Sequence, residues 1–204
     1  MYKTHIFPFF MDLGMRGRLF SRYRRTVLRG LQGDVLEIGA GTGLNFPHYP
    51  SQVQEIHTIE PNPGMGSRAE KRAEKAGIRL HQHVLSAETL PFTDARFDAV
   101  VSTWTLCSIP DVQRALAEVH RVLRPGGRFT YVEHGLAPDE NVRRWQHRLN
   151  PLQNVIADGC NLNRDIHSLI EQAGLVHVQE DAHYVEHAPK TVGYFYIGIA
   201  EKQG

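Results

Sequence analysis

Cysteine is scarce in this chain: Cys107 and Cys160 are the only two among 204 residues. Two thiols are too few for a disulfide scaffold and suit a reducing compartment, so a cytoplasmic protein is expected. Long apolar runs are missing too. No stretch reaches the roughly 18 residues that a membrane-spanning helix needs. The apolar segment from Ile6 to Met15 is broken by Pro8, Asp12 and Gly14 and lacks a signal-peptide cleavage pattern. Nor is there an excess of one charge. With 23 Lys and Arg against 22 Asp and Glu, the net charge is +1, without the basic surplus that nucleic-acid binding usually leaves. No nucleic-acid partner is expected. There are no internal repeats or low-complexity tracts, and the length suits one domain with ample core.

What is present centres on glycine. Val35-Leu36-Glu37-Ile38 breaks into Gly39-Ala40-Gly41-Thr42-Gly43, and Glu60 ends the next apolar run. Glycines after a buried strand let backbone approach a ligand closely, and an acidic residue about 20 positions on can accept hydrogen bonds from ribose hydroxyls. The spacing excludes two common alternatives. Counting from Gly39, the last glycine of a G-x-G-x-x-G dinucleotide fingerprint would fall at Leu44, and no Lys-Ser/Thr pair follows to make a P-loop.

From Asp34 onward, strands and helices alternate in the pattern of a parallel α/β sheet. Strands are expected at 34–39, 54–60, 78–84, 97–102 and 128–134. Helices are expected just after Asn45, at 64–76 and from Asp111 to Val122, the last stopped by Leu123-Arg124-Pro125-Gly126-Gly127. Helix 163–173 closes at Gly174, strand 175–181 follows, and Tyr194 to Ala200 forms a last strand. The short link between those two strands implies an antiparallel hairpin. Before the sheet, Leu19, Tyr23, Val27 and Leu31 fall at helical spacing, with Arg16, Arg18, Arg22, Arg24, Arg25 and Arg29 largely on other faces. Such a helix either packs on the domain as a lid or, with Phe7, Phe9, Phe10 and Met11, makes weak contact with a membrane surface. The domain plan is therefore an N-terminal helical segment, 1–33, then a ligand-binding domain, 34–204, with residues 135–163 as a substrate cap.

The glycine run, the strand Phe97 to Ser102 and the Leu-Arg-Pro-Gly-Gly turn resemble landmarks of class I S-adenosylmethionine (SAM) methyltransferases. That resemblance implies a Rossmann-like, doubly wound seven-stranded sheet in three α/β/α layers with an antiparallel C-terminal hairpin. Finer likeness comes from Glu-Ile-Gly-Ala-Gly-Thr-Gly, Asn45 to Pro50, Thr105-Leu106-Cys107-Ser108-Ile109, Glu133-His134 and Asp158-Gly159-Cys160-Asn161-Leu162. These resemble the methyltransferase-like seven family of alkyl thiol S-methyltransferases and its bacterial relatives, over most of residues 30–200. No counterpart of that family's membrane-anchoring N-terminal stretch is seen here.

Ligands of an open α/β sheet bind beyond the carboxyl ends of its parallel strands. This places the site at Gly39 to Gly43, Glu60 to Asn62, Ser86 to Glu88, Thr103 to Ser108, Glu133 to Leu136 and the hairpin loop from Tyr184 to Thr191. The candidate SAM contacts are Glu37, Gly39, Ala40, Gly41, Gly43, Asn45, Glu60, Pro61, Asn62, Ser86, Ala87, Glu88 and Thr103. Glu60 would hold the ribose hydroxyls through charge-assisted hydrogen bonds. Glu37 breaks the apolar pattern of its strand; the resemblance sets it near the cofactor's amino group, while tying down the glycine loop is an equal alternative. The run Ser86-Ala87-Glu88-Thr89-Leu90-Pro91-Phe92 resembles the family's D-A-E-x-L-P-F, but with serine where an aspartate commonly reads adenine.

The resemblance implies a small thiol or sulfide as methyl acceptor. A thiol is only a few per cent thiolate at pH 7, so a nearby base or cation assists it. His134 is the candidate catalytic base, with Asp158 behind it; Cys107, His187 and Lys190 are candidate acceptor contacts. His81-x-His83 and the His183/His187 pair lack further ligands at metal-site spacing, so no metal is expected. Two other functions fit the same motifs: N- or O-methylation of a lipid head group, quinone precursor or other small metabolite, and SAM binding by a regulator without turnover.

Overall fold

The computed structural model describes residues 7–204; residues 1–6, the start of the N-terminal segment, lie outside it. Two helices lead in, α1 (Phe7–Met15) and α2 (Arg18–Leu28). The sheet elements follow as β1 (Val35–Ile38), β2 (Glu55–Ile59), α3 (Gly66–Ala76), β3 (Arg79–His83), β4 (Phe97–Thr103), α4 (Val112–Val122) and β5 (Leu123–His134). The chain ends with α5 (Glu140–Ile156), α6 (Ile166–Gln172), β6 (Leu175–Tyr184) and β7 (Tyr194–Lys202), and the short helix after Asn45 is a 3-10 turn at Phe46–His48.

The strands form one seven-stranded sheet in the order β3-β2-β1-β4-β5-β7-β6. β1 to β5 run parallel, and β7 is antiparallel to both β5 and β6. The expected class I architecture with its C-terminal hairpin is therefore what the chain adopts. The expected strands recur with their ends moved by a few residues. The largest change is at β5, which starts at Leu123 because Leu123 pairs with Phe97 before the register shifts to Ala99–Arg128.

Side-chain alternation along the strands builds two cores, one on each face of the sheet. Leu36, Ile38, Val100, Phe129 and Tyr131 pack with α4 and α6 through Leu116, Val119, Ile166 and Ile170. Val35, Ala99, Val101 and Val132 face the other way, toward Val27 and Leu28 of α2 and Ala69 and Ala73 of α3. These are the three expected layers. Caps set the helix starts: Asp111 accepts from the Arg114 amide (3.1 Å), and Asp165 from the Ser168 amide (3.2 Å).

Two readings of the sequence change. The buried residues of α2 are Arg24, Val27 and Leu28, with Phe20 and Tyr23 half-buried beside them; Leu19 is exposed, and Arg24 is only 4% accessible. Phe20 and Tyr23 pack on Trp104 and Phe195, with ring centroids 5.1 and 5.5 Å apart, so this helix is docked on the domain. The cap 135–163, which shows no clear sheet element in the sequence, contains the 17-residue helix α5 with Pro151 inside it. Among the described residues, no helix is long and apolar enough to cross a membrane.

Candidate active site

The carboxyl ends of β2, β1, β4 and β5 open into a cavity of about 420 Å³, within the size range of small-ligand sites. Its wall includes Gly39 to Thr42 after β1, Glu60 to Asn62 after β2, Ser86 and Ala87, and Thr103 to Thr105 after β4. Beyond β5 it includes His134, Ala157, Asp158 and Cys160, with Cys107 facing them from the turn after β4. Met11, Met15 and Arg24 close it from the N-terminal helices.

The glycine turn has a geometric cause. Gly39 and Gly41 have φ of +66° and +54°, and a Cβ on Gly39 would sit 2.2 Å from the Thr105 side chain. Only glycine tolerates both demands. Glu60 braces the turn: its Oε2 accepts from the Gly41 amide and its Oε1 from the Asn62 amide, both at 2.9 Å. Burial raises its carboxyl above the usual range, while those amides pull it back.

The structure places several of the expected residues off the cavity wall. Glu37 does not line the cavity. Its Oε1 takes the Asn45 Nδ2 hydrogen (2.9 Å) and its Oε2 the Tyr49 hydroxyl (2.6 Å), so it ties the loop to β1. Burial pushes its carboxyl up to about 7. Gly43 also stands behind the wall, where a Cβ would strike Phe46 at 2.5 Å. Glu88 faces away, accepting from Ser86 Oγ (2.9 Å) and the Asp111 amide (2.7 Å). His187 and Lys190 are exposed on the hairpin loop, with Lys190 over the Tyr184 ring at 4.9 Å, because β6 and β7 carry that loop past the cavity edge. The remaining candidates, including Ala40, Asn45, Pro61, Thr103 and Asp158, do line it.

Sequence reasoning missed three features. Asp12 of α1 is buried and accepts from Thr42 Oγ1, Arg72 and Arg16, whose charges hold its carboxyl well below the usual range despite burial. The signal was a lone charge in an apolar run. Arg24 reaches the Met15 carbonyl (2.8 Å) and lies over the Trp104 ring (4.9 Å). Its spacing with Phe20, Val27 and Leu31 was readable. Trp104 itself sits at φ +50°, a conformation costly for a bulky residue and typical of functional turns.

Among the described residues, four buried polar atoms of the cavity wall have no partner: Arg24 Nε, Trp104 Nε1, Asn45 Oδ1 and, beyond β5, His134 Nδ1. Orphaned buried groups are rare and call for a partner. The first three, two donors and one acceptor, suit an α-amino acid group, carboxylate to the donors and ammonium to the acceptor. Together with the glycine turn and Glu60, they fit the amino acid and ribose portions of SAM.

The fold and this site define a class I SAM-dependent methyltransferase. Residues 36–131 match the profile of the methyltransferase domain family described as "Methyltransferase domain". The chain is 36% identical to human thiol S-methyltransferase TMT1A over 169 residues, 78% of this chain and 69% of that protein. It is 35% identical to rat thiol S-methyltransferase TMT1B over 79% of this chain and 67% of that protein. A geranyl diphosphate methyltransferase solved in complex with SAM superposes with a TM-score of 0.70 at 16% identity, covering 89% of this chain and 84% of the other. The chain belongs to the class I SAM-dependent methyltransferases, in the family that includes TMT1A and TMT1B.

Proposed function

We propose that the methyl acceptor is the sulfur of a small thiol. SAM, when bound, supplies a methyl group on a sulfonium whose departure needs no acid. The chain must therefore align an acceptor and help it ionise. The observation that carries the reading is the cavity wall beyond β5, where His134 Nε2 lies 3.1 Å from Cys160 Sγ. An imidazole and two buried thiols, with Ile109, Pro110 and Ala157 beside them, make a mostly apolar, sulfur-compatible surface.

The similarity to proteins named thiol S-methyltransferases supports the same acceptor. Beside His134 in β5, Glu133 Oε1 accepts from Ser102 Oγ (2.7 Å) and the Thr105 amide (3.0 Å). Those bonds fix the ends of β4 and β5 against each other. The test is incubation with methyl-labelled SAM and small alkyl thiols, with products identified by mass. Methyl thioether is expected, and His134→Gln should lower turnover roughly 10- to 100-fold while sparing SAM affinity. Thiols left unmethylated by the wild type would sink the reading.

A further inference from the structure

The two cysteines of this chain are 53 positions apart in sequence, yet both end on the same cavity wall as His134. Cys107 Sγ, Cys160 Sγ and a ring nitrogen of His134 lie within 4.8 Å of one another. Three separate elements deliver them: the turn after β4, the end of β5 and the turn after α5. The two turns are stitched together, since the Asn161 backbone amide and its Nδ2 both donate to the Cys107 carbonyl at 2.9 Å. The cysteine positions are thus set by backbone bonds as well as by side-chain packing.

We propose that Cys107, Cys160 and His134 form a binding site for a thiophilic divalent cation of the zinc class, with its fourth position open to the cavity. Two thiolates and one imidazole with a free fourth position are the ligand set of a catalytic zinc centre. Zinc–sulfur bonds of about 2.3 Å and zinc–nitrogen bonds of about 2.0 Å at tetrahedral angles put ligand atoms roughly 3.5–3.8 Å apart. The observed cluster reaches that spacing with shifts of about 1 Å or less. On binding, both thiols release their protons to solvent and the site becomes neutral, with two thiolates balancing the divalent charge. The proposal runs against the expectation, drawn from spacing along the sequence, that the chain holds no metal.

The other two clusters among the described residues are weaker. Glu55, His57 and His81 sit on an outer strand pair with a half-exposed carboxylate, and His167, His177 and Glu180 already bond with one another and with Tyr131. Neither lines the cavity.

The open position gives the metal a role that rests on the thiol reading above. An acceptor thiol that coordinates there gives its proton to solvent and becomes a metal-bound thiolate at neutral pH. Its lone pair forms the new sulfur–carbon bond as the sulfonium–carbon bond breaks. The products are a neutral thioether, a poor ligand that leaves the metal, and neutral S-adenosylhomocysteine.

The test uses the full chain, reduced, equilibrated with zinc or cobalt(II) sulfate and freed of excess metal by gel filtration. About one metal per chain is expected, and the cobalt form should show a sulfur-to-metal charge-transfer band in the near ultraviolet. Cys107→Ser and Cys160→Ser, checked for folding by circular dichroism and SAM binding, should lose the band and weaken metal affinity by at least about 100-fold. His81→Gln and His167→Gln should change neither. Adding butanethiol to the cobalt form should alter the band. No retained metal, cobalt without the band, or binding that survives both cysteine changes would overturn the site. A band unmoved by butanethiol, or full thiol methylation by metal-free protein, would overturn its catalytic role and leave the thiol reading standing. A bound metal in an enzyme that methylates no thiol would do the reverse.

Discussion

Thr42 Oγ1 donates to Asp12 Oδ1 at 2.6 Å, and Arg72 Nη1 reaches both Asp12 Oδ1 (2.6 Å) and the Thr42 carbonyl (2.7 Å). This knot fastens α1 onto the glycine turn, and we propose that the N-terminal helices act as a lid. Asp12→Ala strands Arg72 and frees the turn. It should cost about 3 kcal/mol of stability, the scale for breaking a mostly buried ion pair, and should speed SAM dissociation. Denaturant titration and stopped-flow release of SAM check the two effects. Unchanged release in a folded variant would separate the lid from cofactor retention.

Glu60 braces Gly41 and Asn62 while facing the cavity. Glu60→Ala should therefore lose both the ribose contact and the shape of the turn. A reduction of roughly 2–4 kcal/mol in SAM binding follows from charge-assisted bonds of about 1.5–3 kcal/mol each. Calorimetry measures it directly, and near wild-type affinity would remove Glu60 from the site.

Arg24 is assigned to the carboxylate of the cofactor's amino acid group. Arg24→Met should weaken SAM binding by about 10- to 100-fold, the worth of one charged hydrogen bond. Methylthioadenosine, which lacks that group, should bind both proteins alike. Equal losses for both ligands would point instead to a collapsed cavity.

The sheet was legible because its cause is local. Short, nearly continuous apolar runs between glycine and proline punctuation mark strands buried on both faces, and the order of motifs pointed to the class. The glycine turn and Glu60 were legible for the same reason. What escaped depends on tertiary context. The cavity contribution of Arg24 required knowing that α2 docks over Trp104. Helix α5 was marked by Trp145, Leu149, Leu152 and Ile156 at helical spacing, but Pro151 interrupts that run and its apolar face turns to solvent, so it did not read as a core-packed helix. His187 and Lys190 were placed by sequence proximity to a loop whose strands carry it away from the wall. The convergence of Cys107, Cys160 and His134 joins segments that no spacing rule connects.

Glu37 gives a pH signature. Burial raises its carboxyl to about 7 from 4.5, so the folded state holds this proton over a range in which the unfolded chain has released it. Stability from this group is present below about pH 4.5 and is lost as pH rises toward 7, by on the order of 3 kcal/mol in all. Glu37→Gln, which cannot ionise, should remove that slope and be relatively more stable than wild type at pH 7 than at pH 4.5. Denaturation across that range checks it. Parallel wild-type and variant curves would show that Glu37 stays charged between Asn45 and Tyr49.

Acceptor identity is the central claim, and a matched competition tests it most directly. Thiophenol, phenol and aniline share one ring and differ in the accepting atom, so size and apolar fit are held nearly constant. With all three present and methyl-labelled SAM limiting, the thioether should dominate, with kcat/KM for thiophenol exceeding the others by at least about 100-fold. Anisole or N-methylaniline as the main product would contradict the account.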